Sequence, residues 1–136
     1  MSFQLIVRSQ FSAAHALYNY SGKCEKLHGH NFAVEATIQG NEVSPENGML
    51  IDFTILKKAL AQVLEPLDHA ILNELPEFKE RSPSSENLAH FIGCELAGAL
   101  SEALKQSNAM VYSIAVSEKN TQTAIWFAQG GRPGKI

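Results

Sequence analysis

The chain has 136 residues, 45% of them apolar, and a formal net charge of −3. That length suits one unit, residues 1–129 with a flexible tail at 130–136, and the apolar share supports a core without covalent staples. The charge balance leaves no basic stripe for nucleic acid, no run of 18 apolar residues is present to span a membrane, and the start lacks the pattern of a secretion signal, so a cytoplasmic protein with unpaired Cys24 and Cys94 is expected.

Residues 3–11 are β-rich and partly alternating and predict a strand; residues 12–27, with small residues, Asn, Gly and charge, predict a loop. In residues 30–39, Phe32, Val34, Ala36 and Ile38 alternate with polar or small neighbours, the pattern of a half-buried strand. Asn41 to Gly48 should turn. Asp52 can cap a helix with Leu56, Leu60, Val63, Leu64 and Leu67 on one face and Pro66 at its end. A loop through Pro76 and Pro83 leads to Ser84 or Ser85, either of which can cap a second helix. Its inner face would be Leu88, Phe91, Ile92, Leu96, Leu100 and Leu104, with Cys94 inert near the core and His90 off the stripe. Residues 109–117 and 122–128 predict two strands joined by a turn at Glu118 to Thr121. The order β-β-α-α-β-β predicts an α+β fold, a four-stranded, mostly antiparallel sheet with two helices on one face. The other face then needs cover, and a second copy of the chain is the simplest source.

The chemistry gathers around histidines. His28 and His30, two apart at a strand start, point to the same side, and Gly29 between them leaves room for close approach. With His15 from the segment after the first strand, three neutral imidazoles leave a Zn²⁺ ion one open position, as in catalytic sites. Spacing alone balances metal binding evenly against chance. Cys24 has three open readings: a fourth ligand that closes the site, a proton-transfer group activated by Lys23 and Lys26, or a free surface thiol. In Asp68-His69 a carboxylate can orient an imidazole as in a proton relay. Glu118 is either a solvated turn acid or an anchor for the N–H/NH₂ edge of a guanine-like or pterin ring.

Six segments in order resemble the 6-pyruvoyltetrahydropterin synthase / 6-carboxytetrahydropterin synthase family across residues 4–128. They are Phe11-Ser12-Ala13-Ala14-His15, Cys24-Glu25-Lys26-Leu27-His28-Gly29-His30, Gly48-Met49-Leu50-Ile51-Asp52-Phe53, Leu67-Asp68-His69-Ala70-Ile71-Leu72-Asn73, Pro83-Ser84-Ser85-Glu86-Asn87-Leu88-Ala89, and Glu118. The resemblance implies the tunnelling fold, assembled as a homo-hexamer of two stacked trimers with active sites between subunits. It implies zinc on His15, His28 and His30, a proton-abstracting Cys24, and a relay of Asp68 and His69. It implies Glu118 as the grip on the pterin ring, with Ser84 and Ser85 as further contacts. The implied substrate is 7,8-dihydroneopterin triphosphate.

Members differ in product. The short Cys-x₃-His-Gly-His spacing resembles the 6-carboxy branch, which releases acetaldehyde and serves queuosine (7-deazaguanine) synthesis. The 6-pyruvoyl branch only eliminates triphosphate. A related branch uses glutamate in place of the cysteine to make 6-hydroxymethyl-dihydropterin, so Glu25 beside Cys24 reads either as a dual activity or as a solvated loop acid. Outside the family, a structural zinc module and a metal-dependent hydrolase are the rivals. Lys23, Lys26, Arg81 and Lys119 are the cations that suit the triphosphate.

Overall fold

A computed structural model describes residues 2–128; the tail expected at 130–136 lies outside them. Five strands form one sheet: β1 (Phe3–His15), β2 (His28–Gly40), β3 (Ala70–Ile71), β4 (Met110–Lys119) and β5 (Gln122–Phe127), in the spatial order β3-β1-β2-β4-β5. Three helices, α1 (Phe53–Leu64), α2 (Ser85–Ala99) and α3 (Ser101–Ser107), accompany it. The layout is the expected α+β, with α1 against β1 and α2 against β4 and β5.

The strand count is one higher than expected. Ala70–Ile71 is too short to leave a periodic signal, yet it pairs parallel with Ala13 and Ala14 and makes the sheet mixed. The first two strands are also longer than their composition suggests. β1 continues through Ser12, Ala13 and Ala14 to His15 because β2 pairs with it residue for residue, up to His15 opposite His28. Cross-strand partners here override a run of poor strand formers.

Side chains alternate across the sheet, and Val7, Phe11, Phe32, Val34, Ile114 and Val116 are buried on its helix side. Leu56, Leu60 and Leu64 of α1 and Leu88, Ile92 and Leu96 of α2 close that core. Asp52 caps α1 by accepting from Thr54 N–H at 2.9 Å, and Ser84 caps α2 by accepting from Asn87 N–H at 3.2 Å. The second helix does not run on to Leu104. It breaks at Leu100 (φ −100°, ψ 8°), just after Gly98, which favours the helical state less than other residues do. The stripe Leu96, Leu100, Leu104 stays buried across the break.

Cys94 is exposed rather than near the core. The helix turns Gly93 to the sheet instead, and Trp126 of β5 packs on it so closely that an added Cβ would stand 2.2 Å from the indole ring. Among the described residues no helix is long and apolar enough to cross a membrane.

Candidate functional site

Register assembles the site. His15 lies directly opposite His28, and His30 lies opposite Ala13, two residues along the same face. All three share the alternation phase of the buried residues Phe11, Phe32 and Val34, so they face the helix side at one end of the sheet. On β4, Ser117 pairs with Ala33, which sets Glu118 in phase with buried Ile114 and Val116 and on the same face as the histidines. A one-residue slip in either pairing would turn these side chains to the opposite face.

The three imidazoles pack edge to face, with centroids 4.8 Å apart for His15–His28, 5.3 Å for His15–His30 and 4.8 Å for His28–His30. Phe32 lies beneath them at 5.2 Å from His15 and 5.6 Å from His30. His15 Nδ1 lies 2.7 Å from the carbonyl of Pro83, and His28 Nδ1 lies 2.8 Å from the carbonyl of Lys26. A carbonyl only accepts, so each Nδ1 carries a proton, and in the neutral ring each Nε2 keeps the lone pair that a metal needs. His15 Nε2 and His30 Nε2 are buried with no hydrogen-bond partner. Burial also holds the His30 pKa below its ordinary value of 6.5 against the opposing pull of Glu118, which favours the neutral form.

Donor atoms of His15, His28, His30 and Glu118 all lie within 4.8 Å of one another. Two orphaned buried nitrogens, fixed tautomers and a nearby carboxylate fit a divalent cation, and imidazole with carboxylate suits Zn²⁺. Glu118 is the member of this cluster that sequence reasoning left out of the candidate metal set. Its signal was the phase of β4, which needs the pairing with β2 to be read. Cys24 is exposed and lies outside this cluster, whose fourth member is the Glu118 carboxylate.

Glu118 also faces the other way. Ser85 Oγ donates to Glu118 Oε1 at 3.1 Å, and both line a cavity of about 180 Å³ with Glu86, Gln122, Thr123 and Ala124. Ser84 is not in that lining, and its hydroxyl is taken by the cap of α2.

Asp68 and His69 sit on the opposite flank of β1. Ser12 N–H donates to Asp68 Oδ1 at 2.9 Å, and the His69 backbone N–H donates to the Ser12 carbonyl. The Asp68 carboxylate, 2.9 Å from His69 Nδ1, is held below its usual range chiefly by the Ser12 N–H and next by His69. His69 adopts φ +59°, which turns its ring outward, 82% exposed, into an open groove of about 490 Å³. The groove passes His30, Gly29, Asn31 and Ser12. A Cβ at Gly29 would meet only the Ala13 carbonyl at 3.5 Å, an ordinary contact. Gly29 is therefore not needed for the histidines to approach; it keeps the groove floor free of a side chain.

The Cys24 loop is clamped at its root. Asn73 accepts from Ala16 N–H at 2.9 Å and donates to the Ala16 carbonyl at 2.7 Å. Glu25 N–H donates to the Leu17 carbonyl at 2.9 Å, and Leu17 N–H donates to the Glu25 carboxylate at 3.2 Å. Glu25 is thus a loop fastener, with its carboxylate also 3.9 Å from His28 Nδ1, and not a solvated acid. The sequence motif alone assigns Asn73 no role, since only the fold brings it to Ala16.

A family model described as 6-pyruvoyl tetrahydropterin synthase matches residues 4–129. A protein of Archaeoglobus fulgidus, provisionally named a 6-carboxy-5,6,7,8-tetrahydropterin synthase, is 44% identical over 91 residues, 67% of this chain and 73% of its own. The 6-pyruvoyl tetrahydrobiopterin synthase of Poecilia reticulata is 33% identical over 130 residues, 85% of this chain and 84% of its own. In fold, the chain is similar to Caenorhabditis elegans 6-pyruvoyl tetrahydropterin synthase, with a TM-score of 0.79 at 24% identity over 94% of this chain and 96% of that one.

Proposed function

The chain belongs to the 6-pyruvoyl tetrahydropterin synthase family, and from that premise we propose that it is a zinc-dependent 6-carboxy-5,6,7,8-tetrahydropterin synthase. Its substrate would be 7,8-dihydroneopterin triphosphate, converted with water to the 6-carboxy product, acetaldehyde and triphosphate, in the cytoplasm and in service of 7-deazaguanine (queuosine) synthesis. The observation that carries the reading is the cluster of three strand-borne histidines whose ligand atoms lie within 4.8 Å of one another and of Glu118, two of their ring nitrogens being buried without a partner.

His15, His28 and His30 would hold the ion, which supplies a Lewis acid for the side-chain oxygens of the substrate. Cys24 takes a proton from the side chain through its sulfur. His69 gives or takes another through Nε2, with its ring oriented by Asp68 on Nδ1. Glu118, with Ser85 at its other oxygen, accepts the N–H/NH₂ edge of the pterin. Ser84 serves through the helix cap that sets Ser85 in place. The engagement of Glu25 with Leu17 supports one acid–base residue in this loop, the cysteine, over the dual-activity alternative. A homo-hexamer of two trimers would cover the open sheet face, where Ile6 and Ile125 are exposed, and would complete the sites between subunits.

The test is incubation of the zinc-loaded protein with 7,8-dihydroneopterin triphosphate and identification of the product by mass, with Cys24→Ala as control. A 6-carboxy product absent from the variant supports the reading. A 6-pyruvoyl or 6-hydroxymethyl product reassigns the reaction, and no turnover by folded, metal-bound protein sinks it.

A further inference from the structure

We propose that Glu118 is a shared carboxylate: a fourth ligand to the ion on His15, His28 and His30 while no pterin is bound, and the grip on the pterin edge once one is. The inference rests on the metal and pterin reading above and deepens it.

Geometry is the first support. Glu118 Oε2 lies 3.0 Å from His30 Nε2 and 3.9 Å from His15 Nε2. A tetrahedral shell with bonds of about 2.0–2.1 Å has edges of about 3.4 Å, between those two distances. The carboxylate therefore already stands near the corner that three histidines leave open. Neither nitrogen has hydrogen-bond geometry toward it, so the carboxylate stands beside two nitrogens that no hydrogen bond satisfies.

The second support is the division of the carboxylate between two chambers. Oε2 faces the histidines, while Oε1 accepts from Ser85 Oγ on the wall of the 180 Å³ cavity. A pterin edge presents two parallel donors and needs both oxygens of one carboxylate. A pterin in that cavity therefore withdraws Oε2 from the ion and opens the fourth position when substrate has arrived. Because the two demands compete for one group, a bare pterin and the metal each weaken the other's binding by the same factor. A substrate whose own hydroxyl fills the vacated corner escapes that penalty, and this separates the true substrate from ring compounds without a side chain.

The test uses Co²⁺ in place of zinc, since its visible absorption follows donor set and coordination number. Affinity and spectrum are measured for the wild type, Glu118→Gln and Ser85→Ala, each with and without 2-amino-4-oxopteridine, which has no side-chain hydroxyls. Glu118→Gln should lose at least tenfold in Co²⁺ affinity and change the visible band. The bare pterin should shift the wild-type band the same way and leave the variant's band unmoved. Ser85→Ala should keep the resting band and weaken only the pterin response; circular dichroism shows that each variant is folded. Unchanged Co²⁺ affinity and spectrum in Glu118→Gln overturn the proposal without touching the turnover assay. Lost affinity with no pterin-driven shift overturns the shared role and leaves a fixed fourth ligand. Absence of turnover with zinc and 7,8-dihydroneopterin triphosphate would count against the function and not against the ligand.

Discussion

The two halves of the site are built differently. His15, His28, His30 and Glu118 stand on paired strands, where register alone fixes which face each side chain takes. Cys24, Asp68 and His69 stand on connecting segments, held by individual hydrogen bonds from Asn73, Glu25 and Ser12. The half that would bind an ion needs fixed donors at fixed spacing, and a sheet supplies that. The half that would move protons needs reach into the groove, and loops supply it at lower local stability.

The sharpest break of this contrast is His30→Ala. It should abolish metal binding in a dialysis and metal-analysis assay, and turnover should fall further than the about 10²–10⁴-fold typical of a lost acid–base group. Cys24→Ala comes next: a loss of about 10²–10⁴-fold in turnover with unchanged metal content and melting temperature. A melting temperature that moved with it would mean that the thiol is structural. Asn73→Ala removes two hydrogen bonds to Ala16 and should cost about 1–3 kcal/mol in denaturant unfolding, at about 0.5–1.5 each. It should reduce turnover while leaving metal affinity alone, because it loosens only the loop half.

The smallest effect concerns acid. The folded Asp68 carboxyl lies below its ordinary value of 3.8, so its contribution to stability is present above that value and is lost as pH falls through the lower folded one. Asp68→Asn should remove that part of the acid dependence below about pH 4, read from denaturant midpoints, and leave the neutral region nearly parallel to wild type.

Much of the strand half was legible because alternation and the His-x-His spacing are local signals. The caps at Asp52 and Ser84 were legible for the same reason. What escaped depends on contacts between distant segments. β3 is two residues long and exists only as a partner of Ala13 and Ala14. Glu118 reads as a turn acid until its pairing phase is known. Cys94 was placed near the core by its apolar neighbours, whereas the helix needed a glycine at 93 to admit Trp126.

That last contact has a practical meaning. Trp126 is the chain's single tryptophan, and it rests on the helix whose first turn carries Ser85, just after Pro83 binds His15. The indole emission is therefore a built-in optical gauge of whether that helix is seated on the sheet. Unfolding followed by fluorescence at this one residue reads the seating of the scaffold behind the histidines, with no label attached.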